Sequence, residues 1–313
     1  MQFFSSEGKE SRNEEIFHPI LKESGVSLCI KREDLIHEYV SGNKFRKLKY
    51  NLSEAKRLGY DTLLTFGGAY SNHIAAVASA GRLVGLRTIG VIRGEELLND
   101  LEKTLAENAT LMFASACGMR LKFISRGAYR EKGSSSFLEG LQKEFGRLYI
   151  IPEGGTNDLA IKGCEEILNS QDSQYDVICC AVGTGGTVSG IINSSLIHQS
   201  VLGFPALKGS FLTSEIKKYT KKTNWELVEK YHFGGYGKIN KELIEFINTF
   251  RSNQNILLDP IYTGKMIYGL FDMIQNGVFT KNTRILAIHT GGLQGVDGMN
   301  NKLAKKRLPL INI

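Results

Sequence analysis

Four places in this chain put polar or glycine-rich residues directly after short apolar runs, and each offers a different chemistry. Lys44 heads a helical pattern, in Ser41-Gly42-Asn43-Lys44, downstream of Lys31-Arg32-Glu33-Asp34. The helix macrodipole opposes a cation in the first turn by a few tenths to about 1 kcal/mol. A neutral amine or an imine relieves that repulsion, so Lys44 is a candidate for Schiff-base chemistry with a carbonyl compound; as one lysine among many it also reads as a plain surface charge. Gly183-Thr184-Gly185-Gly186-Thr187 follows the apolar strand Asp176 to Val182 and precedes a helical pattern from Val188. Glycines let backbone N–H groups approach closely and a helix start adds unpaired donors, which predicts a phosphate cradle, the alternative being a tight turn without ligand. It is no dinucleotide fingerprint, since the third glycine of GxGxxG would fall on Val188, and no GxxxxGK[ST] exists.

The other two places are Gly67 to His73, ending Ser71-Asn72-His73, and His289-Thr290-Gly291-Gly292. Helix capping would account for Ser71, a braced turn for Asn72, and strand-end packing with a self-bonded hydroxyl for His289 and Thr290. His73 reads as a packed or hydrogen-bonded histidine. The six histidines include no HxxH, HExxH or Cys/His cluster, so no metal is expected.

Strands are expected at Leu28 to Lys31, Thr62 to Phe66, Thr88 to Ile92, Leu121 to Ile124, Leu148 to Ile151, Val177 to Val182 and Ile285 to Ile288. Amphipathic helices lie between them. In Lys44 to Leu58, Phe45, Leu48, Leu52, Ala55 and Leu58 recur every three or four residues and leave Arg46, Lys47, Lys49 and Lys56 to other faces. This alternation predicts α/β architecture, parallel sheets covered by helices on both sides, with ligands beyond the carboxyl ends of the strands.

The composition bounds the alternatives. With 313 residues, 42% of them apolar and 23% charged, the chain can bury a large core and is neither disordered nor fibrous. The charge of +7 is scattered, with groups at Lys44 to Lys49, Lys217 to Lys222 and Lys302 to Arg307 that read as solvated faces, and no nucleic-acid motif accompanies them. Five cysteines, two of them adjacent at Cys179 and Cys180, and no CxxC point to free thiols in a reducing compartment. Neither a signal-peptide core nor a stretch of about 20 apolar residues is present, so a cytoplasmic protein without a membrane partner is expected.

Seven segments in order carry a resemblance: KRED at Lys31 to Asp34, GNKFRKL at Gly42 to Leu48, GGAYSNH at Gly67 to His73, PEGGTN at Pro152 to Asn157, GTGGT at Gly183 to Thr187, DPIYTGK at Asp259 to Lys265 and HTGG at His289 to Gly292. Together they span nearly the whole chain and resemble the 1-aminocyclopropane-1-carboxylate deaminase and D-cysteine desulfhydrase family. The resemblance implies a two-domain α/β enzyme of pyridoxal-phosphate fold type II, the tryptophan-synthase-β-like fold, each domain an open twisted, mostly parallel sheet flanked by helices. Residues 1–47 and 151–313 would form the larger cofactor-binding domain and 48–150 an inserted smaller one. Lys44 would form the Schiff base with pyridoxal 5'-phosphate, Asn72 would bond the ring hydroxyl, and Gly183, Thr184, Gly185, Gly186 and Thr187 would hold the phosphate. Thr290 would partner the pyridine nitrogen, Ser71 would face the substrate, and Tyr262 with Tyr236 would line the reacting side.

The implied reaction is α,β-elimination on a small amino acid, D-cysteine giving pyruvate, hydrogen sulfide and ammonia, with Lys44 as the Cα base. A threonine at the ring nitrogen does not force its protonation as an aspartate would, which weakens the electron sink and favours expulsion of a β-leaving group. Thr263 and Thr290 stand where deaminases of the family have glutamate and leucine, which favours the desulfhydrase type, while Tyr70 replaces a usual glutamine beside Ser71. The alternatives are a 1-aminocyclopropane-1-carboxylate deaminase and, in another class, a non-catalytic pyridoxal-phosphate- or nucleotide-binding protein. The likeness also implies a homodimer acting on a small molecule, with no nucleic-acid partner.

Overall fold

Val177 to Val182 is apolar throughout and buried at every position, as a strand with neighbours on both edges and helices on both faces must be. In the computed structural model, which describes residues 9–313, this run is one of ten strands: β1 (Asn13–Glu15), β2 (Ser27–Lys31), β3 (Thr62–Gly68), β4 (Arg87–Arg93), β5 (Arg120–Ile124), β6 (Tyr149–Ile151), β7 (Val177–Val182), β8 (Ser200–Pro205), β9 (Trp225–Leu227) and β10 (Arg284–Ile288). Six strands form one sheet, in the order β1-β2-β10-β7-β8-β9, and four form a second, in the order β5-β4-β3-β6. All pairings are parallel except β1 with β2.

All seven expected strands are present, with ends displaced by at most two residues. The unexpected ones have plain causes. β8 contains Gly203 and Pro205, which read as turn signals until burial against β7 overrides them. β1 and β9 are three residues each, too short to register a period.

The sheet order decides where the loops meet. β10, from the far end of the chain, inserts between β2 and β7, pairing Ile288 with both Lys31 and Cys180. The segments after β2, β10 and β7 therefore emerge side by side. Between the two sheets runs the Asn43–Arg57 helix, whose Phe45, Leu48, Leu52 and Ala55 join the core of the smaller sheet. Its opposite face meets the Asp158–Cys164 helix so closely that a Cβ on Gly163 would fall 2.0 Å from the Arg46 carbonyl oxygen. This second contact corrects one expectation: Lys44 and Lys47, grouped above with solvated charges, are only 8% and 2% exposed, because the helix is covered on both sides.

Candidate active site

Lys44 is fixed through the start of its helix. Gly42, the N-cap, takes φ 60°, and a Cβ there would lie 2.0 Å from the Thr290 carbonyl oxygen, an approach open only to glycine. The Asn43 N–H donates to that same carbonyl at 3.2 Å, which ties the helix to the segment after β10. Lys44 Nζ donates to Asn43 Oδ1 at 3.1 Å and has no ion pair among the described residues. Burial first, and then the charge of Lys47, pull its pKa down to about 7, so at neutral pH much of the amine is uncharged.

Lys44 opens onto a cavity of about 450 Å³ lined from both sheets. The ends of β3 and β4 supply Tyr70, Ser71, Asn72, His73 and Arg93; the segments after β7 and β10 supply Gly183, Thr184, Gly185, Thr187, Thr290 and Gly291. The Gly186–Ser194 helix starts two residues before the expected Val188, with Gly185 as its N-cap in the left-handed region. Gly186 is buried behind the lining residues, where a Cβ would stand 3.2 Å from Lys47 Nζ. Thr187 Oγ1 accepts from Asn43 Nδ2 at 2.8 Å, locking the two helix starts together.

Lys47 is the residue that the sequence reading missed here. Its Nζ donates to the Gly154 carbonyl at 2.9 Å and to Thr156 Oγ1 at 3.2 Å, and no carboxylate among the described residues pairs with it. Burial lowers its pKa. The available signal was the spacing, because positions i and i+3 share a helix face and Lys47 must point where Lys44 points.

Ser71 caps the Asn72–Val84 helix by accepting from the Ile74 N–H at 3.4 Å, so capping and a place in the cavity hold together. His73 is buried and its Nε2 meets Thr65 Oγ1 at 2.8 Å. Burial, then Lys44 and Lys47, push its pKa well below the usual value, leaving a neutral ring. Tyr262 packs over Gly183, where a Cβ would come 3.1 Å from its ring, and its ring centroid is 6.1 Å from that of Tyr236. Burial, followed by the neighbouring Tyr236, raises the Tyr262 pKa well above the ordinary phenol value, so its hydroxyl is neutral, a hydrogen-bond donor and not a base. Tyr236, 47% exposed, stands on a loop held by Lys265, whose Nζ donates to the His232 and Gly235 carbonyls at 2.9 Å each.

Residues of two motifs lie elsewhere. Thr263, used above to separate the family's branches, does not line the cavity; it is fully buried and bonded through N–H and Oγ1 to Asp259 Oδ2 at 2.8 and 2.6 Å. None of Lys31, Arg32, Glu33 and Asp34 reaches the cavity either.

A part-neutral buried amine, a glycine-bounded helix start beside a second buried lysine, and an asparagine with hydroxyls between them fit a group that carries an aldehyde, a phosphate and a polar ring. Such a cleft between two parallel sheets defines a cofactor enzyme of the α/β class. The chain belongs to the pyridoxal-phosphate-dependent enzyme family, whose model matches residues 17–291. It is 33% identical over 301 residues to a putative 1-aminocyclopropane-1-carboxylate deaminase of Pyrococcus abyssi, covering 88% of each chain. It is 33% identical over 298 residues to the mitochondrial bifunctional D-cysteine desulfhydrase/1-aminocyclopropane-1-carboxylate deaminase of Arabidopsis thaliana, covering 87% of this chain and 74% of that one. The crystal structure of an ACC deaminase homologue superposes with a TM-score of 0.79 at 28% identity, covering 97% of both chains. The fold is therefore pyridoxal-phosphate fold type II and the cofactor is pyridoxal phosphate. No helix among the described residues is long and apolar enough to cross a membrane.

Proposed function

We propose that the protein catalyses α,β-elimination on a small amino acid, D-cysteine first, with Lys44 holding the cofactor and taking the Cα proton. The observation that carries this reading is the Lys44 amine, buried, without a carboxylate partner among the described residues and with a pKa near 7: such an amine is a nucleophile and a base at neutral pH. Pyridoxal phosphate supplies an electron sink for charge developing at Cα. The chain's residues bind, orient and move protons around it. Gly183 to Thr187, with Lys47 beside them, suit the phosphate, because the helix start offers N–H donors and Lys47 Nζ adds another donor that a bound anion would favour in its charged form. Asn72 suits the ring hydroxyl and Thr290 the ring nitrogen. Ser71 keeps its hydroxyl proton free to donate while its oxygen caps the helix, which suits a substrate carboxylate. Tyr262, held neutral, donates toward the departing group, and Tyr236 closes that side.

Thr290 at the cavity wall supports the desulfhydrase type, whereas Thr263, bonded to Asp259, bears on helix capping instead of specificity. The two sheets support two lobes, with boundaries near residues 47 and 150. Buried thiols at Cys164, Cys179 and Cys180 suit the reducing cytoplasm. Exposed Leu98, Leu101 and Met112 suit a homodimer contact, which sedimentation would test.

The deciding experiment incubates the purified, cofactor-loaded protein with both enantiomers of cysteine, serine and chloroalanine and with 1-aminocyclopropane-1-carboxylate. Sulfide and pyruvate from D-cysteine without ketobutyrate from the cyclopropane acid are expected. The reverse pattern makes the protein a deaminase, and no turnover of any of them makes it a passive binder.

A further inference from the structure

The cavity wall carries a third cation that the reading above does not use. Arg93 is the last residue of β4, in the smaller sheet, and lines the cavity with Lys44 and Lys47. Its guanidinium carbon lies 5.6 Å from the centroid of the Tyr129 ring, which is itself buried in that sheet's core. Arg93 is exposed at the end of its strand, and its Nη2 lies beside Gly68, where a Cβ would stand in contact with it at 3.6 Å. Arg93 forms no ion pair among the described residues. The carboxylate of the cavity wall, Glu153, lies instead 3.2 Å from Lys132.

A guanidinium resting on an aromatic face keeps its N–H edge free, and that planar fork matches an oxyanion better than an ammonium can. The substrate's α-carboxylate has donors of its own at the start of the Asn72–Val84 helix, where first-turn N–H groups lack intrahelical acceptors. Arg93 is therefore surplus to an amino acid with a neutral side chain. Across the cavity stand Tyr236, which feels the Arg93 charge, and the Tyr262 beside it.

We propose that Arg93 is the binding point for an anionic β-substituent, so that the site prefers amino acids whose β-group is, or departs as, a thiolate, sulfonate or similar anion. This rests on the elimination reading. In elimination the Cα proton passes to Lys44 Nζ, the electrons of the Cα–H bond become the second Cα–Cβ bond, and the β-substituent leaves with the pair of its own bond to carbon. The charge that the departing group gains has Arg93 to hold it. 1-Aminocyclopropane-1-carboxylate has no such substituent and gives Arg93 nothing to bind.

The test is a titration of the visible band of the cofactor-loaded protein with alanine and with aspartate, in both enantiomers, on wild type, Arg93→Ala and Arg93→Lys. Aspartate keeps the anion and lacks a good leaving group, so binding is read apart from turnover. Wild type should bind aspartate of the preferred hand at least tenfold more tightly than alanine. Arg93→Ala should abolish that preference while changing alanine affinity less than threefold, and Arg93→Lys should keep part of it. Equal weakening of both ligands in Arg93→Ala would place the guanidinium on the α-carboxylate and overturn the proposal, as would no change in either. A band that is present in wild type and lost in Lys44→Ala, measured alongside, upholds the cofactor reading independently of the Arg93 result.

Discussion

Lys31 and Lys44 are both buried and only thirteen positions apart, yet their surroundings are opposite. Lys31, at the end of β2, meets Asp172 at 2.7 Å, with both side chains 1% exposed. Its neighbours are matched too: Arg32 pairs with Asp34 and Glu14 at 2.7 and 2.6 Å, and Glu33 with Arg46 at 2.9 Å. Lys44 and Lys47, on the cavity wall, have only neutral oxygens. A buried charge that is paired holds structure, whereas one left unpaired is shifted toward neutrality or waits for an anion from outside. The KRED segment is therefore scaffold, although it belongs to the resemblance as fully as the GNK segment does.

Substitutions can break this contrast. Lys44→Ala should have the largest effect, abolishing the visible band and lowering turnover by on the order of 10²–10⁴-fold or more. Against the cofactor-free wild type its thermal stability should not fall, because an uncompensated buried amine is removed. A melting curve and a spectrum on one sample check both. Asp172→Ala should do the reverse, lowering stability by about 3–5 kcal/mol in denaturant unfolding by stranding Lys31, with turnover per folded molecule retained. Replacing both partners with Met and Leu should recover most of that loss.

Lys47→Met should weaken cofactor binding by roughly 10- to 100-fold, the worth of one charge-assisted hydrogen bond, as read by fluorescence titration of the cofactor-free protein. The smallest effect is on pH. Cofactor capture needs the neutral amine, so its rate should rise with pH through about 7 and level off above it. Lys47→Met should move that midpoint upward, since the Lys47 charge helps to lower it. Because the Lys44 pKa lies below its ordinary 10.5, the unfolded chain binds the extra proton between about 7 and 10.5. The contribution of Lys44 to stability therefore improves as pH rises through that window, and Lys44→Met should flatten that part of the cofactor-free protein's stability curve.

Much of the scaffold was legible in the chain. Period-two and apolar runs mark seven of the ten described strands, and the glycine loop after β7 announces a helix start, because these are local properties of neighbouring residues. Of the candidate site residues, Lys44, Ser71, Asn72, Tyr236, Tyr262, Thr290 and four of the five loop residues do line one cavity. What failed was any inference that needed to know what covers a side chain. Lys47 looked solvated, Thr263 looked specificity-determining, and Arg93 attracted no attention. Lys47 and Arg93 depend on partners more than thirty residues away, on which local sequence is silent, and Thr263 on which way its side chain turns, toward Asp259 and not the cavity.

The sequence by itself determined the alternation of strands and helices, the residue types at the strand ends and the family likeness, since these rest on period, propensity and motif order. Only the tertiary structure decided which charges are matched. Placing β10 between β2 and β7, and the Asn43–Arg57 helix between the two sheets, removes water from Lys31, Lys44 and Lys47 alike but brings a carboxylate to only one of them. In a low-dielectric interior that single difference separates a structural ion pair from a reactive amine.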